Sequence, residues 1–313
     1  MNGMTNAPPT VPSRRPVSDP FVNRRILRNM DDTSASGAFA PYRCPWELNQ
    51  ARRYFARPPG RLSVSTQSQR DDGVLQRREV TFLADTGVRG VATVVSQASG
   101  RAERGVVLAH GGSDDMRQFF AAEATQLALR GAAVILPVMR LRLSEGIDAF
   151  AKDVREAILI ERAALDVLVT QAGAPPDRLS FLGHSAGGAM GAILTAVEPR
   201  LARIVISSNA AGPLARADLA RTLSRGRGIT DDLTAAANWF DPAHFVGTHR
   251  RAHLLVQHGR ADQTAPIAAG KALFDAAAPP KTWAEYDWGH DLDADPKARN
   301  DRADFLESQV SPS

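Results

Sequence analysis

The chain has 313 residues, of which 43% are hydrophobic and 23% charged, with one cysteine and a net charge of +4. That length suits one core plus an appendage better than two full domains. No run approaches the roughly 18 to 20 apolar residues of a membrane-spanning helix, and a single cysteine excludes an internal disulfide or a thiolate zinc cluster.

Met1 to Ser36 is rich in Pro, Ser, Asn and Arg without periodicity, which predicts an extended or disordered arm. Ser13-Arg14-Arg15 has the form of a twin-arginine signal, but Pro16-Val17-Ser18-Asp19-Pro20 stands where an apolar segment should follow. A cytoplasmic location is therefore expected. Pro45 to Phe55 predicts a short helix stopped by Pro58-Pro59-Gly60. It can pack on the main domain or on a second copy, so a homodimer through the arm is one expectation. Cys44, between Arg43 and Pro45 in this segment, reads as a passive thiol. Residues 1–75 are thus taken as an N-terminal extension, with a regular domain over 76–308.

Val80 to Leu83 and Gly90 to Val95 flank Asp85-Thr86-Gly87 and predict an antiparallel hairpin. Short apolar strands then alternate with helices. Strands are expected at 105–109, 132–136, 179–182, 204–207, 254–257 and 282–286. Helices are expected at 116–130, 151–169, 186–197, 266–276 and 298–306. The long helix at 151–169 carries Val154, Ile158, Leu165 and Leu168 as its apolar stripe. This order predicts an α/β fold with a mostly parallel sheet and helices on both faces. Residues 209–250 exceed what one crossover needs and predict a small cap of two short helices.

The motifs that carry chemistry each follow a strand, where catalytic groups collect in such folds. Gly183-His184-Ser185-Ala186-Gly187 lies between a strand and a helix. In that setting G-x-S-x-G makes a sharp turn that presents the serine at the sheet's edge. Ser185 is the predicted nucleophile, and the Ala186 N–H at the helix start is a predicted oxyanion donor. His110-Gly111-Gly112 ends the strand at 105–109 and offers Gly112 as the second donor. An ordinary strand-to-helix turn is the bland alternative for that Gly-Gly pair.

On these motifs the chain resembles the α/β-hydrolase superfamily, and within it the dienelactone-hydrolase-like and prolyl-oligopeptidase-like branch, over about residues 76–308. The resemblance implies a triad in the order Ser…Asp…His. His258-Gly259-Arg260-Ala261-Asp262 follows the strand at 254–257 and offers Asp262, shortly before Pro266. Asp287-Trp288-Gly289-His290 follows the last strand and offers His290. Relatives carry an Asp-x-Arg-Gly-like turn after the strand at 132–136, whereas this chain reads Pro137-Val138-Met139-Arg140-Leu141-Arg142. Arg140 and Arg142 are candidates to grip a substrate carboxylate or phosphate, or plain surface residues. His110, His184 and His258 are expected to position loops.

The favoured expectation is hydrolysis of a small-molecule carboxylic ester or thioester through an acyl-Ser185 intermediate. One alternative passes the acyl group to a non-water acceptor, as an acyltransferase or cyclase does. Another, of a different class, is a non-catalytic binding protein on a hydrolase fold. No cofactor, metal, nucleic-acid or membrane partner is expected, since the arginines are interleaved with acids and the histidine spacing predicts no metal site.

Overall fold

The computed structural model describes residues 47–57, 61–84, 87–110, 115–142, 146–248 and 252–308. All lie in the second of the two units into which the chain divides, Phe39–Ser313. The predicted arm, Cys44, the oxyanion candidate Gly112, and the hairpin residues Asp85 and Thr86 lie outside the described residues.

Nine strands form one sheet in the order β1-β2-β3-β5-β4-β6-β7-β8-β9. They are β1 (Leu62–Asp71), β2 (Leu75–Ala84), β3 (Arg89–Gln97), β4 (Arg104–His110), β5 (Ala132–Pro137), β6 (Leu179–His184), β7 (Leu201–Ser207), β8 (His253–Gly259) and β9 (Lys281–Tyr286). β1 to β3 are antiparallel, as is the β3–β5 pair, and all pairs from β5 to β9 are parallel. Every residue of β5, β6 and β7 is buried. Such near-continuous apolar runs, broken only by Ser180, His184, Arg203 and Ser207, belong to strands covered on both faces.

The covering helices follow from the crossovers. On one face, α2 (Ala121–Leu129) and α9 (Pro296–Glu307) contribute Ala124, Leu127 and Leu306 to a core with Val106, Leu182 and Val205. On the other lie α3 (Ile147–Ala172), α4 (Ala186–Val197) and α8 (Ile267–Ala276). α1 (Leu48–Tyr54) packs on α4 of the main domain. Phe55, fully buried behind it, meets Phe245 edge-on, and its carbonyl accepts from Arg162 at 2.6 Å.

Between β7 and β8 the cap is α5 (Gly212–Ser224), α6 (Asp231–Trp239) and the short α7 (Ala243–Val246). Buried Asp241 ties these together. It accepts from the backbone N–H groups of Gly212 and Ala243 and pairs with Arg216 at 2.7 Å. α7, a single turn, was too short for periodicity to reveal. β1 was also placed in the extension rather than in the sheet. Only Leu62 and Val64 alternate as apolar, half-buried positions, and the remaining residues are polar and exposed, so the pattern is too short to mark a strand.

Two charged residues of α3 are buried, Asp153 and Glu161, and the second has no counter-charge among the described residues. Glu161 falls between Ile158 and Leu165 and is fully buried. Neither carboxyl oxygen has a hydrogen-bond partner among the described residues. Burial therefore pushes its pKa well above the ordinary carboxylate range and favours the neutral side chain. Below the unfolded-state pKa of about 4.3, both states are protonated. As pH rises toward the raised native value the unfolded chain alone ionises, so stability is lost. Glu161→Leu should raise stability in urea unfolding at neutral pH by about 1–3 kcal/mol, with the gain shrinking toward pH 4.

Candidate active site

The site is built where β6 passes into α4. Ser185 holds φ 53° and ψ −122°, in the positive-φ region that a side chain rarely adopts. The turn is this tight because backbone packs directly on backbone. A Cβ on Gly183 would stand 2.1 Å from the Gly187 carbonyl oxygen, and one on Gly187 would stand 2.0 Å from that of Ala109. Neighbouring strands hold the turn: the Ser185 N–H donates to Ser207 at 2.9 Å, and Asn209 Nδ2 donates to the Ser185 carbonyl at 2.8 Å.

Asp262 follows β8, and His290 follows β9. The structure brings both to Ser185. His290 Nε2 lies 3.1 Å from Ser185 Oγ, and His290 Nδ1 lies 2.8 Å from Asp262 Oδ2. The other oxygen, Asp262 Oδ1, accepts from the N–H groups of Thr264 and Ala265 at 2.9 and 2.8 Å. Asp262 is buried and accepts only, so Nδ1 of His290 must be the protonated nitrogen. That tautomer leaves Nε2 as acceptor for the serine hydroxyl.

The His290 loop is fastened from three sides. His184 Nε2–H donates to the His290 carbonyl at 2.8 Å, and Ser208 Oγ donates to the same oxygen at 2.7 Å. Burial pushes the His184 pKa down to about 3, so it is a neutral, fixed donor. Behind the loop sits Arg302 of α9, 1% exposed. It bonds Glu123 of α2 through two nitrogens at 2.6 and 2.7 Å, Asp293 at 3.2 Å and the Leu292 carbonyl at 3.3 Å. Burial, reinforced by the Glu123 carboxylate, pushes the Asp293 pKa up to about 7.

A cavity of about 500 Å³ opens beside Ser185 and His290, between α3, α4 and the cap. Leu141 lines it. Arg140 and Arg142 instead line a separate groove with Asp153 and Glu156. Buried Asp153 needs a cationic partner, and Arg142 supplies it through its backbone N–H at 2.7 Å and its guanidinium at 2.5 Å. The structure thus brings Ser185, Asp262, His290 and Ala186 together but not the two arginines. Among the described residues, no group of three or more His, Cys, Asp or Glu could hold a metal ion. None of their helices is long and apolar enough to cross a membrane.

Residues 162–307, which span Ser185, Asp262 and His290, match the prolyl oligopeptidase family. Acetyl xylan esterase 1 from Thermoanaerobacterium sp. JW/SL YS485 superposes with a TM-score of 0.62 at 15% identity, over 83% of this chain and 92% of its own. The acetyl xylan esterase from Paenibacillus sp. R4 gives 0.66 at 15% identity, over 84% and 93%. A cold-adapted esterase from an Arctic intertidal metagenomic library gives 0.57 at 18% identity, over 79% and 100%. The fold is that of the α/β-hydrolases. No curated protein matches the sequence.

Within this fold, sequence reasoning missed Ser208, Asn209 and Arg302. Ser208 and Asn209 follow β7 and had a signal in that position, since polar residues at a strand's carboxyl end face the site. Arg302 had none, because a charged residue in a terminal helix reads as surface. The expectation that His184 and His258 position loops matches their bonds: His258 Nε2 reaches the Ala265 carbonyl at 2.6 Å. Removing Arg302 leaves Glu123 buried without its partner. Arg302→Met should lower stability in urea unfolding by about 3–5 kcal/mol. The double variant Arg302→Met/Glu123→Leu should recover most of that loss.

Proposed function

We propose that this chain is a serine hydrolase that cleaves a small-molecule carboxylic ester or thioester. The observation that carries the reading is the continuous hydrogen-bonded chain Ser185–His290–Asp262, with the serine on a strained turn at a helix start. A serine hydroxyl is a weak nucleophile until a base takes its proton during attack. As the Ser185 Oγ–carbon bond forms, the proton passes to His290 Nε2 and the carbonyl electrons move to its oxygen. Asp262 stabilises the imidazolium through the Nδ1–H bond without itself becoming protonated.

The developing oxyanion is assigned to the Ala186 N–H, one of the first-turn donors of α4 that lack an intrahelical acceptor. Gly112 is assigned the second donor. β4 ends at His110, the register partner of His184, so the chain leaves β4 beside the nucleophile. Collapse of the tetrahedral species breaks the carbon–leaving-group bond, and His290 returns the proton to the departing alcohol or thiol. Water then repeats the cycle on the acyl-serine, releasing the acid.

The names borne by the structural neighbours, acetyl xylan esterases among them, support the ester class. Transfer to a non-water acceptor would use the same groups, but no observation here favours it. Ser185→Ala should abolish turnover of p-nitrophenyl esters with an unfolding midpoint near that of the wild type. Asp262→Asn should stay folded and lower kcat by about 10³- to 10⁴-fold, because the wrong imidazole tautomer is then favoured. Steady-state kinetics on both variants checks this. Activity in Ser185→Ala at the wild-type level would end the proposal.

A further inference from the structure

The cavity beside the triad follows one helix face. Ala186, Ala189, Met190 and Ile193 line it, and steps of three, four and seven put them on one side of α4. Seven residues rise about 10 Å. The cavity therefore runs from the nucleophile about two turns along α4, beneath the cap. Opposite stand Phe150 and Val154 of α3 and Phe240, which follows α6, with the two phenyl rings edge-to-face at 5.1 Å. Phe150, Val154, Met190, Ile193 and Phe240 are each 6% exposed or less, so they form a tightly packed apolar inner wall.

The lining is also neutral. Arg216 pairs with Asp241 at 2.7 Å, and Arg221 pairs with Asp218 at 3.3 Å. On α4 the lining residues nearest Ser185 are small, Ala186 and Ala189, and the large ones, Met190 and Ile193, follow along the helix. A two-carbon acyl group would reach only the small residues beside Ser185 and stop short of that apolar wall. Each methylene that moves from water onto such a wall favours binding by about fourfold.

We infer that the acyl group of the substrate is an uncharged, medium-length aliphatic chain that lies along α4 toward Ile193. This rests on the serine-hydrolase reading and deepens it. The two depend on different parts of the cavity, the triad for the reaction and the α4 floor for the chain length.

The test is kcat/KM for p-nitrophenyl acetate, butyrate, octanoate and palmitate with the full chain. Octanoate should exceed acetate by about 10- to 100-fold, discounted from full burial of the added methylenes, and palmitate should fall below octanoate. Ile193→Phe should raise the floor and move the optimum to a shorter ester. Ala189→Phe, at a half-buried position facing the cavity, should cut the octanoate-to-acetate ratio further. Acetate turned over at least as fast as octanoate overturns the inference and leaves the serine-hydrolase reading standing. A ratio unchanged in both folded variants overturns it as well. No turnover of any ester removes the underlying reading, and the inference with it.

Discussion

The close approach of β6 to the start of α4 is the contact on which the site depends. A Cβ on Gly183 would strike Gly187, and one on Gly187 would strike Ala109 of β4, so the chain must reverse within the three residues between the two glycines. That reversal forces Ser185 to a positive φ, a conformation costing about 1–3 kcal/mol that persists only when its surroundings over-determine it. Ser207 and Asn209 of the adjoining strand end do this through the bonds to Ser185. The serine side chain is thus held out at the strand ends, and the helix behind it begins with free N–H groups.

The same device recurs at the other half of the site. A Cβ on Gly259 would stand 2.3 Å from the Gly289 carbonyl oxygen, which brings the loop after β9 down onto the end of β8. Asp262 and His290 leave these two strands and meet because the loops touch. Arg302 then closes the back of the His290 loop with a buried cation shared between Glu123 and Asp293. Two glycine contacts and one buried cation therefore set the geometry of three side chains that lie far apart in the chain.

The parallel core was legible because buried strands such as β5 to β7 are near-continuous apolar runs, and α3 declares itself by its stripe. The hairpin of β2 and β3 showed through its turn and its alternation. β1 did not, since only Leu62 and Val64 of that edge strand are half-buried. Ser185 was legible from its pentapeptide and setting, whereas Asp262 and His290 rested on chain order. Arg142 looked like a substrate ligand because nothing local reveals Asp153, eleven residues on, as its buried partner. The buried network of Arg302 is invisible for the same reason: its partners, Glu123 of α2, Gln257 of β8 and Leu292 and Asp293 of the His290 loop, are assembled only by the tertiary fold.

The central claim is that Ser185 is a nucleophile made reactive by His290 and Asp262. Its most direct measurement is peptide mapping after treatment with a fluorophosphonate probe, with the wild type and Asp262→Asn compared side by side. The account predicts one adduct, on Ser185, formed far more slowly in Asp262→Asn. A wild-type protein left unmodified at Ser185, or labelled at the same rate without the Asp262 carboxylate, would contradict it.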